Sequence, residues 1–218
     1  MQWMHSLQEY GVSERKNLMN QKLSCQSMVM ICPGIHDPQL TQDFLNALQL
    51  GEIDDISNPG IQNIEIFPSQ DYPAYSTVHI VDYLQRHISK TTPVIFISFS
   101  AGVAGAIGAA WAWKLLGGIV KAFIAFDGWG VPLYGNFPIH RVSHDRFTHW
   151  SSALLGAGEE SFYADPAIEH LDLWRSPDRC TGWWVHHTVT DKLEQRRYTT
   201  AAQFVNQLLQ FYRKQPHV

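Results

Sequence analysis

A serine stands where an apolar run gives way to small side chains: Ser98-Phe99-Ser100-Ala101-Gly102 closes the stretch PVIFIS and opens AGVAGAIGAAW. The order small-x-Ser-x-small between a strand and a helix is the pattern of a nucleophile elbow, here with Ser98 in the place of the usual first glycine. Its demand is steric. A serine held in a sharp strand-to-helix turn adopts a strained backbone, so the residues two before and two after it must be small, and Ser98 and Gly102 meet that need. The helix that follows directs its free amides toward Ser100, where an attacking hydroxyl would generate an oxyanion. Serine is also a good helix N-cap, so the motif gains its meaning only from its place in the chain.

That place is set by an alternating series of elements. SMVMICPG reads as a first strand ending near Gly34, and Asp37-Pro38 supplies an N-cap with proline at the first helical position. Leu40, Phe44, Leu45 and Leu48 then share one helical face. NIEIFP (63–68) reads as a short strand, and STVHIVDYLQRH puts Val78, Val81, Leu84 and Ile88 on a helical stripe. PVIFIS (93–98) is a continuous apolar run, as in a strand covered on both faces. A helix over 101–116 follows, whose alanines and glycines would let it lie close against a sheet, and then the strand IVKAFIAF (119–126). Alternation of this kind predicts an α/β fold: a mostly parallel central sheet with helices on both faces, a three-layer sandwich. After residue 127 come a Gly/Pro/aromatic loop, two short stretches with strand character, IHRVSH and SFYAD, and a C-terminal helix marked by Val205, Leu208, Leu209 and Tyr212. Ser100 therefore ends the third strand of the series, at the carboxyl edge where open α/β sheets place their sites.

With this order of elements and the motif SFSAG, supported by PGIHD after the first strand, the chain from about residue 28 to 213 resembles the α/β-hydrolase fold. The resemblance implies a serine hydrolase with Ser100 as nucleophile and backbone amides at Ala101 and Ile35 as the oxyanion hole. Pro33-Gly34 stands where the family often has His-Gly. The family order of serine, acid, histidine selects Asp145, at the end of IHRVSHD, as the acid and His170 as the base; Asp127, one strand earlier, is the alternative acid. His144, His149, His186 and His187 are the other candidates for the base. A base must reach the serine hydroxyl and be held in the right tautomer by the carboxylate, so the choice depends on position in space.

Two further groups stand out. His140, His144, Asp145 and His149 form a dense run of imidazole and carboxylate, but the spacing His-x3-His-Asp-x3-His matches no zinc ligand pattern, and neither a metal nor an organic cofactor is assigned. GWGVPLYGNF, with Trp150, Leu154, Leu155, Phe162 and Tyr163, supplies apolar surface near the expected site. His36, Phe99, Trp129 and Trp150 are the candidate substrate-binding side chains. Little chain remains for a large cap, which implies an accessible cleft and a modest ester or thioester as small-molecule substrate. A non-catalytic protein of the same fold, binding an apolar ligand or a protein, is the alternative.

Composition bounds the rest. The 218 residues are 45% hydrophobic and 17% charged with a formal net charge of −4. These values fit one globular domain and provide no basic field for nucleic acid. Residues 1–27 read as a polar leader without a signal-peptide core. The odd cysteine count (3) argues against a disulfide framework, so a cytoplasmic location is expected. The apolar region 101–126 is long enough to imitate a membrane span, but Lys114, Lys121 and Gly117-Gly118 divide it into a helix and a strand.

Overall fold

The computed structural model describes residues 27–50, 63–156, 158–186 and 195–215; the expected leader 1–27 lies outside them except for Ser27. Its strands are β1 (Met28–Cys32), β2 (Ile64–Ile66), β3 (Pro93–Phe99), β4 (Ile119–Phe126), β5 (Ile139–Ser143), β6 (Glu160–Ala164), β7 (Thr181–His186) and β8 (Gln195–Thr200). The helices are α1 (Pro38–Ala47), α2 (Thr77–His87), α3 (Ala101–Leu115), α4 (Arg146–Ala153), α5 (His170–Arg175) and α6 (Ala201–Lys214). All eight strands join one sheet in the order β2-β1-β3-β4-β5-β6-β7-β8. The pairs from β2 to β6 are parallel, while β6–β7 and β7–β8 are antiparallel. The protein is thus an α/β fold with a mostly parallel sheet.

The central strands explain the arrangement. Every residue of β3 is buried, and its side chains divide by the two-residue period of a strand. Ile95, Ile97 and Phe99 join a core with residues of α1, α5 and α6, while Val94 and Phe96 join another with residues of α2 and α3. Helices therefore cover both faces. Asp37 caps α1 by accepting the Gln39 amide at 2.8 Å, as the Asp-Pro start predicts. On α2 Leu84, the C-cap residue Ile88 and the half-buried Val81 face the core as expected, joined by Ile80, whereas Val78 is 75% exposed. The small side chains of α3 lie against the sheet as expected, with Gly102 at the end of β1 and Ala106, Ala109 and Ala110 in the core beneath β3 and β4, and they serve a second contact as well. A Cβ on Gly105 would run into the Ala74 carbonyl and one on Gly108 into Thr77, so these two glycines also bring α3 against the start of α2.

Among the described residues no helix is long and apolar enough to cross a membrane; α3 ends at Leu115 and β4 begins at Ile119. The parallel strands all end on one side. Ser100, Asp127 and His144 follow the last residues of β3, β4 and β5 directly, on three neighbouring strands.

Candidate active site

Ser100 has φ 51° and ψ −122°, a left-handed backbone that a residue with a Cβ rarely adopts. Such strain costs about 1–3 kcal/mol and persists only where the surroundings impose it. Here they do. The Ser100 amide donates to the Phe126 carbonyl at 2.9 Å, extending the β3–β4 ladder by one residue before the chain turns into α3. Gly102 permits that turn: a Cβ there would overlap the carbonyl oxygens of Cys32 and Pro33 at the end of β1. Ser98 is fully buried in β3. Gly102 is therefore needed, as the motif predicts, although its clash is with β1 rather than with the turn itself.

Asp127 repeats the geometry one strand away. Its amide donates to Val142 O at 2.8 Å, and its φ of 47° turns the chain so that the side chain, only 2% exposed, points across the strand ends. Its carboxylate accepts three hydrogen bonds. His170 donates from Nδ1 to Oδ2 at 2.8 Å, and His144 donates from Nδ1 to the same oxygen at 2.9 Å and from its main-chain amide to Oδ1 at 3.0 Å. Burial pushes the Asp127 pKa up, but the hydrogen bonds from His144 and His170, with the charge of His144, outweigh burial and hold the carboxyl below its ordinary range. A carboxylate only accepts, so Nδ1 of His170 carries the proton and Nε2 is free to accept. The Ser100 hydroxyl lies 3.1 Å from that Nε2.

The His170 ring is held from below. It stacks on Phe99 (centroids 4.7 Å apart, planes at 22°), Phe99 stacks on Trp174 (5.0 Å, 14°), and Trp174 stacks on Phe44 of α1 (3.6 Å, 10°). Trp174 lies one turn beyond His170 on α5, so burying this tryptophan anchors the short helix that presents the imidazole. Phe99 and His36, expected as substrate contacts, belong to this packing instead. Phe99 is 1% exposed, and His36 meets Phe99 edge-on at 5.6 Å.

The expected acid is elsewhere. Asp145 caps α4, accepting the Thr148 amide at 2.6 Å, and makes no contact with His170. The carboxylate on His170 is Asp127, the alternative, at the end of the strand next to that of Ser100. The other imidazoles are also engaged apart from the serine. His149 is buried beside Tyr163, His186 pairs with Glu160, and His187 lies outside the described residues. His140 is 1% exposed, bonded to Tyr212 at 2.7 Å and to Glu160 O at 3.2 Å. The His140–His149 run, to which no metal is assigned, is thereby dispersed. A different set converges: Asp127, His144 and His170 bring one oxygen and two nitrogens within 4.8 Å of one another. Both nitrogens stand at hydrogen-bond distance from the same oxygen, so the protons they carry fill the space between them, and we assign no ion there.

The serine, Ala101, Asp127, His144 and His170 open into a cleft of about 470 Å³ walled by Ala104, Trp129, Val131, Phe147 and Thr148. Trp129 is a wall residue, as expected. Trp150 is 63% exposed and reaches the cleft only through its neighbour Phe147. The chain after β1 passes beside the serine, since a Cβ on Gly34 would come within 3.1 Å of Ser100 Cβ. Ile35 follows, and neither its amide nor that of Ala101 enters the main-chain hydrogen bonds of the described residues. Arg141 escaped the sequence reading. Buried inside β5, it donates to the carbonyls of Val131 (3.2 Å), Leu155 (3.1 Å) and Gly156, tying the Trp129–Val131 wall to the end of α4. No family model matches the chain, and no curated protein matches it either.

Proposed function

We propose that the protein is a serine hydrolase of the α/β-hydrolase fold, acting on the ester or thioester carbonyl of a small, apolar substrate through Ser100, His170 and Asp127. One observation carries this reading. A strained serine at a strand–helix turn meets an imidazole nitrogen at 3.1 Å, and the other nitrogen of that ring meets a buried carboxylate at 2.8 Å. Protons can move along this path in one direction and back. Ser100 Oγ attacks the carbonyl carbon while its proton passes to His170 Nε2, and Asp127 stabilises the imidazolium without taking a proton. The carbonyl oxygen becomes an oxyanion, received by the amides of Ala101 and Ile35. Collapse expels the alcohol or thiol, which takes the proton from His170. A water molecule then attacks the acyl-serine with His170 again as base, releasing the acid and restoring the Ser100 hydroxyl.

The apolar walls, Trp129, Val131 and Phe147, favour an uncharged acyl or aryl group over a phosphate or sugar. A fluorophosphonate probe tests the reading, because it captures a serine only where a base activates it. Labelling of the wild type that vanishes in Ser100→Ala and persists in the presence of EDTA is the expected result. A folded wild type that takes up no probe overturns it in favour of a non-catalytic binding protein, and labelling abolished by EDTA overturns it in favour of metal chemistry.

A further inference from the structure

His144 does more around the acid than a loop histidine needs to. It contributes two of the three hydrogen bonds that Asp127 accepts, one to each carboxylate oxygen. Its ring meets that of His170 at 5.9 Å, nearly edge to face. Its far nitrogen, Nε2, lies 3.6 Å from Asp145 Oδ2 at the cap of α4. We propose that His144 is a positioning residue for the Asp127 carboxylate and gives the site a second ionisation, through which the base is turned down in acid; this rests on the serine-hydrolase reading.

Two protonation states of His144 do different things. In the neutral ring, Nδ1 carries the proton that bonds Asp127, and together with the main-chain amide it fixes the carboxylate against rotation, with Oδ2 aimed at His170. The ring is 25% exposed, so Nε2 can take a second proton from solvent, and the N–H so formed faces the Asp145 carboxylate. No hydrogen bond to Asp127 is lost, but the site gains a positive charge. That charge neutralises Asp127 and opposes the imidazolium that His170 must form when it removes the serine proton.

The groups facing His144 come from three elements: Asp127 after β4, Asp145 at the cap of α4, and His170 with Glu169 at the start of α5. Three of them are carboxylates. The bond to Asp127 raises the His144 pKa most; burial opposes it, and the charges of Asp127, Asp145 and Glu169 add to the rise. The charged form is thus favoured at higher pH than in a free imidazole.

The test compares wild type with His144→Asn and His144→Ala. An asparagine amide nitrogen stands where Nδ1 stands and keeps the donor to Asp127 without titrating; alanine removes it. Fluorophosphonate labelling rates are measured across the acid limb, with circular dichroism to verify folding. The expected wild-type limb contains two ionisations, a slope above unity or a shoulder, and the asparagine limb one. Alanine lowers the rate about tenfold or more at alkaline pH, the scale of one charge-assisted hydrogen bond, and asparagine recovers it toward wild type. Identical limbs in wild type and His144→Asn, or full activity in a folded His144→Ala, overturn the proposal.

A readout without turnover separates this from the hydrolase reading itself. In NMR the Nδ1–H resonance of the His170–Asp127 hydrogen bond shows a second step, set by the ionisation of His144, in wild type and none in His144→Asn. Absence of the second step overturns the proposal even where labelling proceeds. Its presence without any labelling keeps the coupled pair and overturns only the hydrolase reading.

Discussion

Replacing Asp127 with asparagine separates the two carboxylates that the sequence offers as the acid. Asparagine has one accepting oxygen and an NH2 group in place of two accepting oxygens, while the site presents three N–H donors, from His170 Nδ1, His144 Nδ1 and the His144 amide. Whichever way the amide is turned, a donor is left facing a donor. The His170 ring relieves this by moving its proton to Nε2, and that proton then faces the Ser100 oxygen, 3.1 Å away, which can no longer deliver its own. A change of this kind costs a Ser-His-Asp site about 10⁴-fold in rate, or about 5 kcal/mol in the activation barrier. An electrostatic check agrees in scale: opposite unit charges about 4 Å apart attract by about 4 kcal/mol at an effective dielectric constant near 20. The assay is the second-order rate of fluorophosphonate labelling, with p-nitrophenyl acetate hydrolysis beside it, at a pH where the wild type is fully active. Asp145→Ala is the control. It removes the cap of α4, with an expected cost of about 1 kcal/mol in stability, and leaves labelling within about threefold of wild type. A folded Asp127→Asn protein labelling within about tenfold of wild type would refute the reasoning, as would an Asp145→Ala protein that loses activity as Asp127→Asn is expected to.

Gly102→Ala should lower stability by about 1–3 kcal/mol, because its methyl must displace the end of β1, and should slow labelling by shifting the serine turn; an unchanged thermal midpoint would show that the contact with Cys32 and Pro33 yields freely. His140 is predicted to make the fold acid-sensitive. Burial lowers its pKa from 6.5 to about 4, so the stability from keeping the ring neutral is present above 6.5 and lost as pH falls through about 4. The full loss is on the order of 3 kcal/mol. Urea unfolding across that interval should show a shallower decline for His140→Gln than for wild type, and parallel declines would contradict the assignment.

The parts of the fold legible in the sequence are those whose signal is local. The runs in β1, β3 and β4 are apolar because both faces of those strands are buried, and the Asp37-Pro38 helix start needs only neighbours in the chain. β7 and β8 are absent from the sequence reading. β8, QRRYTT, is an edge strand with Gln195–Tyr198 exposed, so it carries no apolar alternation, and only its pairing with β7 makes it a strand. The role of Asp145 as a cap was also written locally, in the Asp-x-x-Thr that places Thr148 over its carboxylate, a signal that could have removed it from the competition for the acid.

The residues by themselves determined that a serine with small flanks would end a buried strand and open a helix, since burial, β-branched runs and small side chains act within a few positions. The identity of its partners was decided by strand order. The ends of neighbouring β3 and β4 place Ser100 and Asp127 where one imidazole meets both, while Asp145, at the end of β5, is turned to the cap of α4. Asp127 is 43 residues from His170 and Ser100 is 70, separations across which local sequence carries no force. Only the ladder of neighbouring strands, and the aromatic column beneath His170, bring those atoms together.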